Sequence, residues 1–285
     1  EIHINRNIIQ LASLGILFAG YILQAETREV LKNPILEIER VLSPITIDGD
    51  LTDLEWGQAK GTDYFVEIDP GDNVEPSEKT AVKVTYDDHN LYVAFWAYSD
   101  PKTIRTSYQN RDRAWGDDFV AIFLDTYGDA NTGTMIGSNP YGIQMDAKTS
   151  GGGDDDPTFD LVYESKGKIT DTGYQVEMAI PFSSLSFPNK EIQEWKIGFY
   201  RSLPRVKRSQ IIWGGFDRTN PCFLCQMGTL KGIQGIKQRG SFEFLPAIVG
   251  SQVSELDQNN TLKKGTAAGE ASLGIKYSFS SDQVA

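Results

Sequence analysis

Apolar and polar residues alternate with a period of two through most of the chain, the pattern of strands with one face buried. Ala81-Val-Lys-Val-Thr-Tyr86 alternates, Asp87-Asp-His-Asn90 carries turn chemistry, and Leu91-Tyr-Val-Ala-Phe-Trp-Ala-Tyr98 returns. This predicts a hairpin with a four-residue loop. Phe119-Val-Ala-Ile-Phe-Leu124 is an unbroken apolar run between aspartates, as expected of a strand covered on both faces. Further strands are predicted at 142–146, 159–164, 174–180, 195–201 and 211–213. One short helix is predicted over 52–59, with Asp50 or Thr52 as its cap. Short strands separated by Asp, Gly, Asn and Pro clusters, with no sustained 3.6-residue period, predict an all-β antiparallel β-sandwich.

The two ends read differently. Residues 8–23 are nearly all apolar behind Arg6, and Leu23-Gln24-Ala25 supplies a cleavage site, so 1–25 reads as a signal peptide. A transmembrane anchor is the competing reading, but the run is shorter than the ~20 apolar residues a spanning helix needs. With no cysteine at the end of the run, lipid anchoring is not expected. Glu1 in place of Met marks the chain as a fragment on this reading. At the other end Ala271, Leu273, Ile275, Tyr277 and Phe279 alternate with polar or small residues. A second extended segment covers 241–250, and the polar stretch 254–266 joins the two. Such strands suit the first hairpin of an outer-membrane β-barrel; an amphipathic hairpin lying on a soluble sheet is the alternative. The expected organisation is signal peptide 1–25, linker 26–37, sandwich 38–235 and the start of a truncated barrel over 236–285. The protein is then exported, to the outer membrane or periplasm of a Gram-negative bacterium.

Composition narrows the chemistry. The chain has 285 residues, 40% hydrophobic and 23% charged, and a formal net charge of −12. That is globular, and the acidic balance argues against a nucleic-acid partner, which needs a basic face. With only two histidines, His3 and His89, a His-rich metal cluster is excluded and any His-dependent triad would have to use His89.

Three segments in order carry a resemblance: Ile47-Asp-Gly-Asp-Leu-Thr-Asp-Leu-Glu-Trp56, Val82-Lys-Val-Thr-Tyr-Asp-Asp-His-Asn-Leu-Tyr-Val93 and Trp115-Gly-Asp-Asp-Phe-Val-Ala-Ile-Phe-Leu-Asp125. Asn139-Pro-Tyr-Gly-Ile-Gln144, Gly173-Tyr-Gln-Val-Glu177, Ile180-Pro-Phe-Ser-Ser-Leu185 and Trp195-Lys-Ile-Gly-Phe199 continue it. Over roughly 38–220 the series resembles the family 9 carbohydrate-binding module and its relatives. The resemblance implies a jelly-roll-like β-sandwich and a saccharide ligand. The Gly-Thr-Leu-Lys-Gly-Ile passage at 228–233, leading into alternating strands, resembles bacterial outer-membrane proteins whose remaining chain is a β-barrel of unassigned function.

Sugar recognition uses aromatic faces against the apolar C–H side of a pyranose, with polar side chains for its hydroxyls. The resemblance puts Trp115 at one wall of a sugar clamp, with Arg111, Asp112, Asp117 and Asp118 as its polar neighbours. Trp213 is the candidate second wall, and Tyr141 and Gln144 are candidate hydroxyl partners. Ordinary core or edge packing competes for both tryptophans, and a plain turn competes at 139–142; Trp56, Trp96 and Trp195 are expected in the core. One departure matters: sugar-binding relatives carry a carboxylate six residues after the tryptophan, where this chain has Ala121, which accepts no hydrogen bond. Asp125, Asp129 and Asn131 share a Gly-containing loop, and Asp154-Asp-Asp156 follows three glycines. Structural Ca2+ is therefore a candidate at Asp125, Asp129 and Asn131, against ordinary solvated turn acids. Cys222-Phe-Leu-Cys225 has no second Cys pair and no nearby His for zinc, so an exported chain predicts a local disulfide. Carboxylates for a glycoside hydrolase are abundant, but sequence spacing does not set the separation such a pair requires. No G-x-S-x-G, P-loop or G-x-G-x-x-G is present, and the reading is of a non-catalytic module in glycan capture or carbohydrate catabolism. The alternatives are a glycoside hydrolase and a structural periplasmic cap of the barrel.

Overall fold

The computed structural model describes residues 28–237 and 241–278. The leader segment, His3 and Phe279 lie outside the described residues. In chain order the elements are β1 Ile35–Glu37, α1 Leu54–Gln58, β2 Lys60–Thr62, β3 Phe65–Asp69, β4 Thr80–Tyr86, β5 Asn90–Tyr98, β6 Phe119–Asp125, β7 Thr132–Ser138 and β8 Gln144–Ser150. They continue with β9 Asp155–Asp156, β10 Glu164–Thr170, β11 Gly173–Pro181, β12 Ile192–Pro204, β13 Arg208–Trp213, β14 Gly228–Gln234, β15 Ser241–Leu256 and β16 Leu262–Ser278.

Two sheets form a sandwich. One runs β1-β14-β12-β6-β7-β8-β9, with β13 pairing both β12 and β3; the other runs β10-β11-β5-β4-β2. Strand pairing is antiparallel except β1 with β14, where Leu36 lies opposite Leu230. The chain is thus an all-β sandwich, as its alternation predicts. Residues 28–37, expected as linker, are instead docked: Leu31 N–H donates to the Gly214 carbonyl at 2.9 Å, and Ile35–Glu37 adds an edge strand. The unpaired edge of β14 supplies the hydrogen bonds that draw this segment in.

The core between the sheets holds Val120, Ile122 and Leu124 of β6 against Leu91, Val93 and Phe95 of β5. The alternate β6 residues, Phe119, Ala121 and Phe123, face outward into a second apolar cluster with Met135, Met145, Leu224 and Met227. That explains the unbroken apolar run: every residue of β6 is buried. The outer face of the other sheet is covered by the 45–59 segment, where Trp56 packs with Ile47, Tyr92 and Ala179. Trp56 and Trp195 are buried; Trp96 is half-buried, with the Lys83 ammonium 5.9 Å from its ring centre.

Local chemistry explains the shifted boundaries. The helix is one turn, preceded by Asp53 with no side-chain cap; neither Asp50 nor Thr52 caps it. β8 begins at Gln144 rather than 142 because Asn139 Oδ1 accepts the N–H groups of Tyr141 and Ile143, at 3.0 and 2.9 Å, and Gly142 turns with φ +80°. Residues 159–163 form no strand. Side chains anchor that passage instead: Asp146 accepts the Leu161 N–H, and the buried Tyr163 hydroxyl donates to the Gly137 carbonyl at 2.7 Å. β15 and β16 pair only with each other, from Ser241↔Ser278 to Leu256↔Leu262, and the expected polar joining stretch shrinks to a turn at 257–261.

Candidate saccharide-binding surface

The loop before β6 is held by two buried carboxylates. Asp118, wholly buried, accepts the Arg105 N–H and an Arg205 guanidinium N–H, each at 2.8 Å. Asp117 accepts from the Ser107 N–H and the Asn139 side-chain amide, both at 2.9 Å. Both were candidate sugar ligands on sequence grounds. Both Asp117 oxygens and Asp118 Oδ2 are instead engaged in fixing the 105–118 loop, while Asp118 Oδ1 is buried without a hydrogen-bond partner.

The same bonds position aromatic rings. Asn139 links the 105–118 loop to the turn before β8, and Tyr108 then lies flat on Tyr141, ring centres 4.2 Å apart and planes 5° apart. Tyr108 is 81% exposed, so its outer face is open to solvent. Trp115, on the same loop, is half-buried: Nε1 donates to the Asp112 carbonyl at 3.0 Å and the ring meets Phe119 edge-on at 6.0 Å. Tyr108 is the residue sequence reasoning missed. Its signal was an aromatic inside the polar run Thr-Ser-Tyr-Gln-Asn-Arg, where no core alternation accounts for it.

The structure brings Arg111 and Gln144 together but turns them on each other. Arg111 Nη1 donates to Gln144 Oε1 at 2.9 Å, Nη2 donates to Asp146 and to the Leu161 carbonyl, and the guanidinium lies 5.4 Å from the Tyr163 ring centre. Gln144 Nε2 donates to the Tyr163 carbonyl at 2.7 Å. Asp112, Asp146 and Asp160 gather within reach of one cation, and Arg111 already ion-pairs with all three. Burial still holds the Asp146 carboxyl above the usual aspartate value. These groups brace the loop from below.

Trp213 is not a second clamp wall. It is 4% exposed and packs on Phe199 with ring centres 5.1 Å apart, in the core between the sheets. β13 pairs with β12 on one side and β3 on the other, which carries its inward residues under the sheet rather than to the rim. Ala121, wholly buried, lies in the outward cluster under Leu224 and Met227, with Phe223 set against Phe123 at 4.9 Å. The loop that covers this face carries the Cys222–Cys225 disulfide. The exposed ring of the 105–118 loop is Tyr108, stacked on Tyr141.

The structure gives the candidate calcium residues hydrogen-bonding roles within the β6–β7 turn. Asp125 is wholly buried, and its two oxygens accept the N–H groups of Tyr127, Gly128 and Ala130 at 3.0, 2.8 and 2.8 Å. Asp129 accepts from both the backbone and the side-chain amide of Asn131. The aspartates close the β6–β7 turn with hydrogen bonds, and three backbone N–H groups engage both oxygens of Asp125.

A family model described as carbohydrate family 9 binding domain-like matches residues 47–203, more than half of the chain, and the chain belongs to that family. A putative carbohydrate-binding protein from Bacteroides uniformis ATCC 8492 shares the fold, with TM-score 0.54 at 14% identity over 70% of this chain and 98% of that one. A family 9 carbohydrate-binding module from Caldicellulosiruptor kristjanssonii, solved with cellotriose, gives 0.47 at 19% identity over 72% of this chain and 94% of that chain. The same module solved with glucose gives the same score and identity, over 96% of that chain. No curated protein matches the sequence.

Proposed function

We propose that the sandwich is a non-catalytic saccharide-binding module of an exported protein, and that the hairpin after it is the first part of an outer-membrane barrel. The observation that carries the binding reading is the outward face of Tyr108, stacked on Tyr141, with the half-buried Trp115 further along the same loop. Flat rings held rigidly at a rim suit the C–H face of a pyranose and lose little conformational freedom on binding. A carboxylate is absent at position 121, and Arg111, Asp117, Asp118 and Gln144 are engaged within the protein. Stacking therefore contributes more than hydrogen bonding, which favours a weak and sugar-tolerant site.

The membrane reading is supported by β15 and β16, 16 and 17 residues long, whose shared face carries exposed Phe244, Ile248, Leu273 and Ile275. A lone two-stranded hairpin is marginal in water, so an apolar face of this length calls for a neighbour or a lipid phase. Calorimetric titration of a panel of mono- and oligosaccharides tests the binding reading. Heat that disappears in both Tyr108→Ala and Trp115→Ala supports it, and silence across the panel rejects it.

A further inference from the structure

We propose that a second site, for the carboxylate of a small acidic sugar such as a hexuronate, lies in the cleft where Lys148 meets Phe159. None of its lining residues belongs to the Tyr108–Trp115 surface, and the inference does not depend on binding there. The cleft, of about 240 Å³, opens between the β6–β7 connection, β8 and the turn after β11. Leu161 forms part of its floor, and Tyr127, Ser184 and Ser186 stand among its walls.

Lys148 faces Thr134 across the β7–β8 ladder and donates to its hydroxyl at 3.0 Å, with the ammonium 4.7 Å from the Phe159 ring centre. Lys60, Lys168 and Lys231 each pair with a carboxylate, in a chain with 39 acidic residues against 27 basic ones. Lys148 has no carboxylate within ion-pairing distance among the described residues, and no acid lines the cleft. Although much of its side chain is exposed, the cleft walls partly desolvate the ammonium and hold its pKa below the ordinary lysine value. Asp156 stands opposite Lys148 in the β8–β9 ladder without forming an ion pair with it, which leaves the ammonium to a ligand that brings an oxyanion.

The surroundings choose among oxyanions. The serine hydroxyls match sugar hydroxyls, and Tyr127, 49% exposed, offers a ring for a C–H face, which inorganic phosphate would leave unused. The volume lies below the ~300–1,000 Å³ of ordinary ligand pockets, which limits the occupant to a single ring.

The test is calorimetric titration of the full chain at neutral pH with D-glucuronate and D-galacturonate, with D-glucose and inorganic phosphate as separate arms. Saturable uronate binding is expected, about tenfold or more weaker in Lys148→Gln and retained in Lys148→Arg. Glucose and phosphate are expected to bind more weakly than either uronate. No saturable uronate heat, equal affinity in Lys148→Gln, or phosphate binding as tight as uronate each overturns the proposal. Should Lys148→Gln not fold, Tyr127→Ala replaces it, and unchanged uronate affinity there overturns the proposal equally.

Discussion

Tyr108 lies on Tyr141 with 4.2 Å between ring centres and 5° between planes, across a 33-residue separation that Asn139 closes by donating to the Ser107 carbonyl at 3.0 Å. The pair is built from two loops that share no alternation, and its outer ring contributes little to the core. Tyr108→Ala should therefore lower stability by no more than about 1 kcal/mol while removing saccharide heat. A variant that binds as well as the parent would move the ligand away from this surface.

Trp213 makes the opposite contrast. Its ring fills the core, and Gly228 is the only residue type its neighbourhood admits there, since a Cβ at 228 would stand 2.2 Å from the indole. Trp213→Ala should cost about 3–5 kcal/mol, read as a drop in the denaturant midpoint. Saccharide binding by a folded Trp213→Phe should be unchanged, because that side chain touches no rim residue.

The loop over the outward face of β6 separates disulfide from packing effects. Closing the few residues of Cys222–Cys225 restricts the unfolded chain by about 2 kcal/mol at most. Leu224, wholly buried against Gly133, carries the larger part: Leu224→Ala should cost about 2–5 kcal/mol. Chemical denaturation of Cys222→Ser/Cys225→Ser beside Leu224→Ala gives the ranking directly, and the reverse order would mean that the loop is held by its staple.

Glu177, wholly buried on β11, accepts from Trp56 Nε1 at 2.8 Å and from the N–H groups of Asp48 and Gly49 at 3.1 and 2.8 Å. Burial outweighs these donors and raises its pKa above the usual glutamate value. The folded state then holds the proton more tightly than the unfolded chain. The contribution of this group is greatest below the unfolded glutamate pKa and is lost as pH rises through the folded value. Melting temperatures between about pH 4 and 6 should fall with rising pH more steeply in the parent than in Glu177→Gln; parallel slopes would refute the assignment.

Arg201, wholly buried, is met by Glu78 at 3.0 Å together with the carbonyls of Lys79 and Tyr98. Glu78 also pairs with Arg205 at 3.1 Å. Removing the carboxylate leaves a buried guanidinium without its counter-charge, so Glu78→Ala should cost about 3–5 kcal/mol by thermal or chemical unfolding. A loss below about 1 kcal/mol would show that the pair is effectively solvated.

The sequence by itself determined the sandwich, the β4–β5 hairpin, the strands at 119–124, 174–180 and 195–201, and the burial of Trp56, because period-two alternation and turn chemistry are local properties that survive any arrangement of the sheets. The two-sided burial of β6 was also legible, since only a strand covered on both faces tolerates six apolar residues in succession. What the tertiary structure decided was which polar groups remain open to a ligand. Asp117, Asp118 and Asp125 look identical to solvated loop acids in a string of letters. Only packing shows that donors of the protein itself engage them: Ser107 and Asn139 at Asp117, Arg105 and Arg205 at Asp118, and the 127–130 amides at Asp125. Trp213 was drawn inward by the pairing of β13 between two strands far away in sequence, and Tyr108 acquired a partner through one asparagine bond. Hydrogen-bond saturation and ring stacking depend on distances between remote segments, and those distances exist only once the sheets have closed.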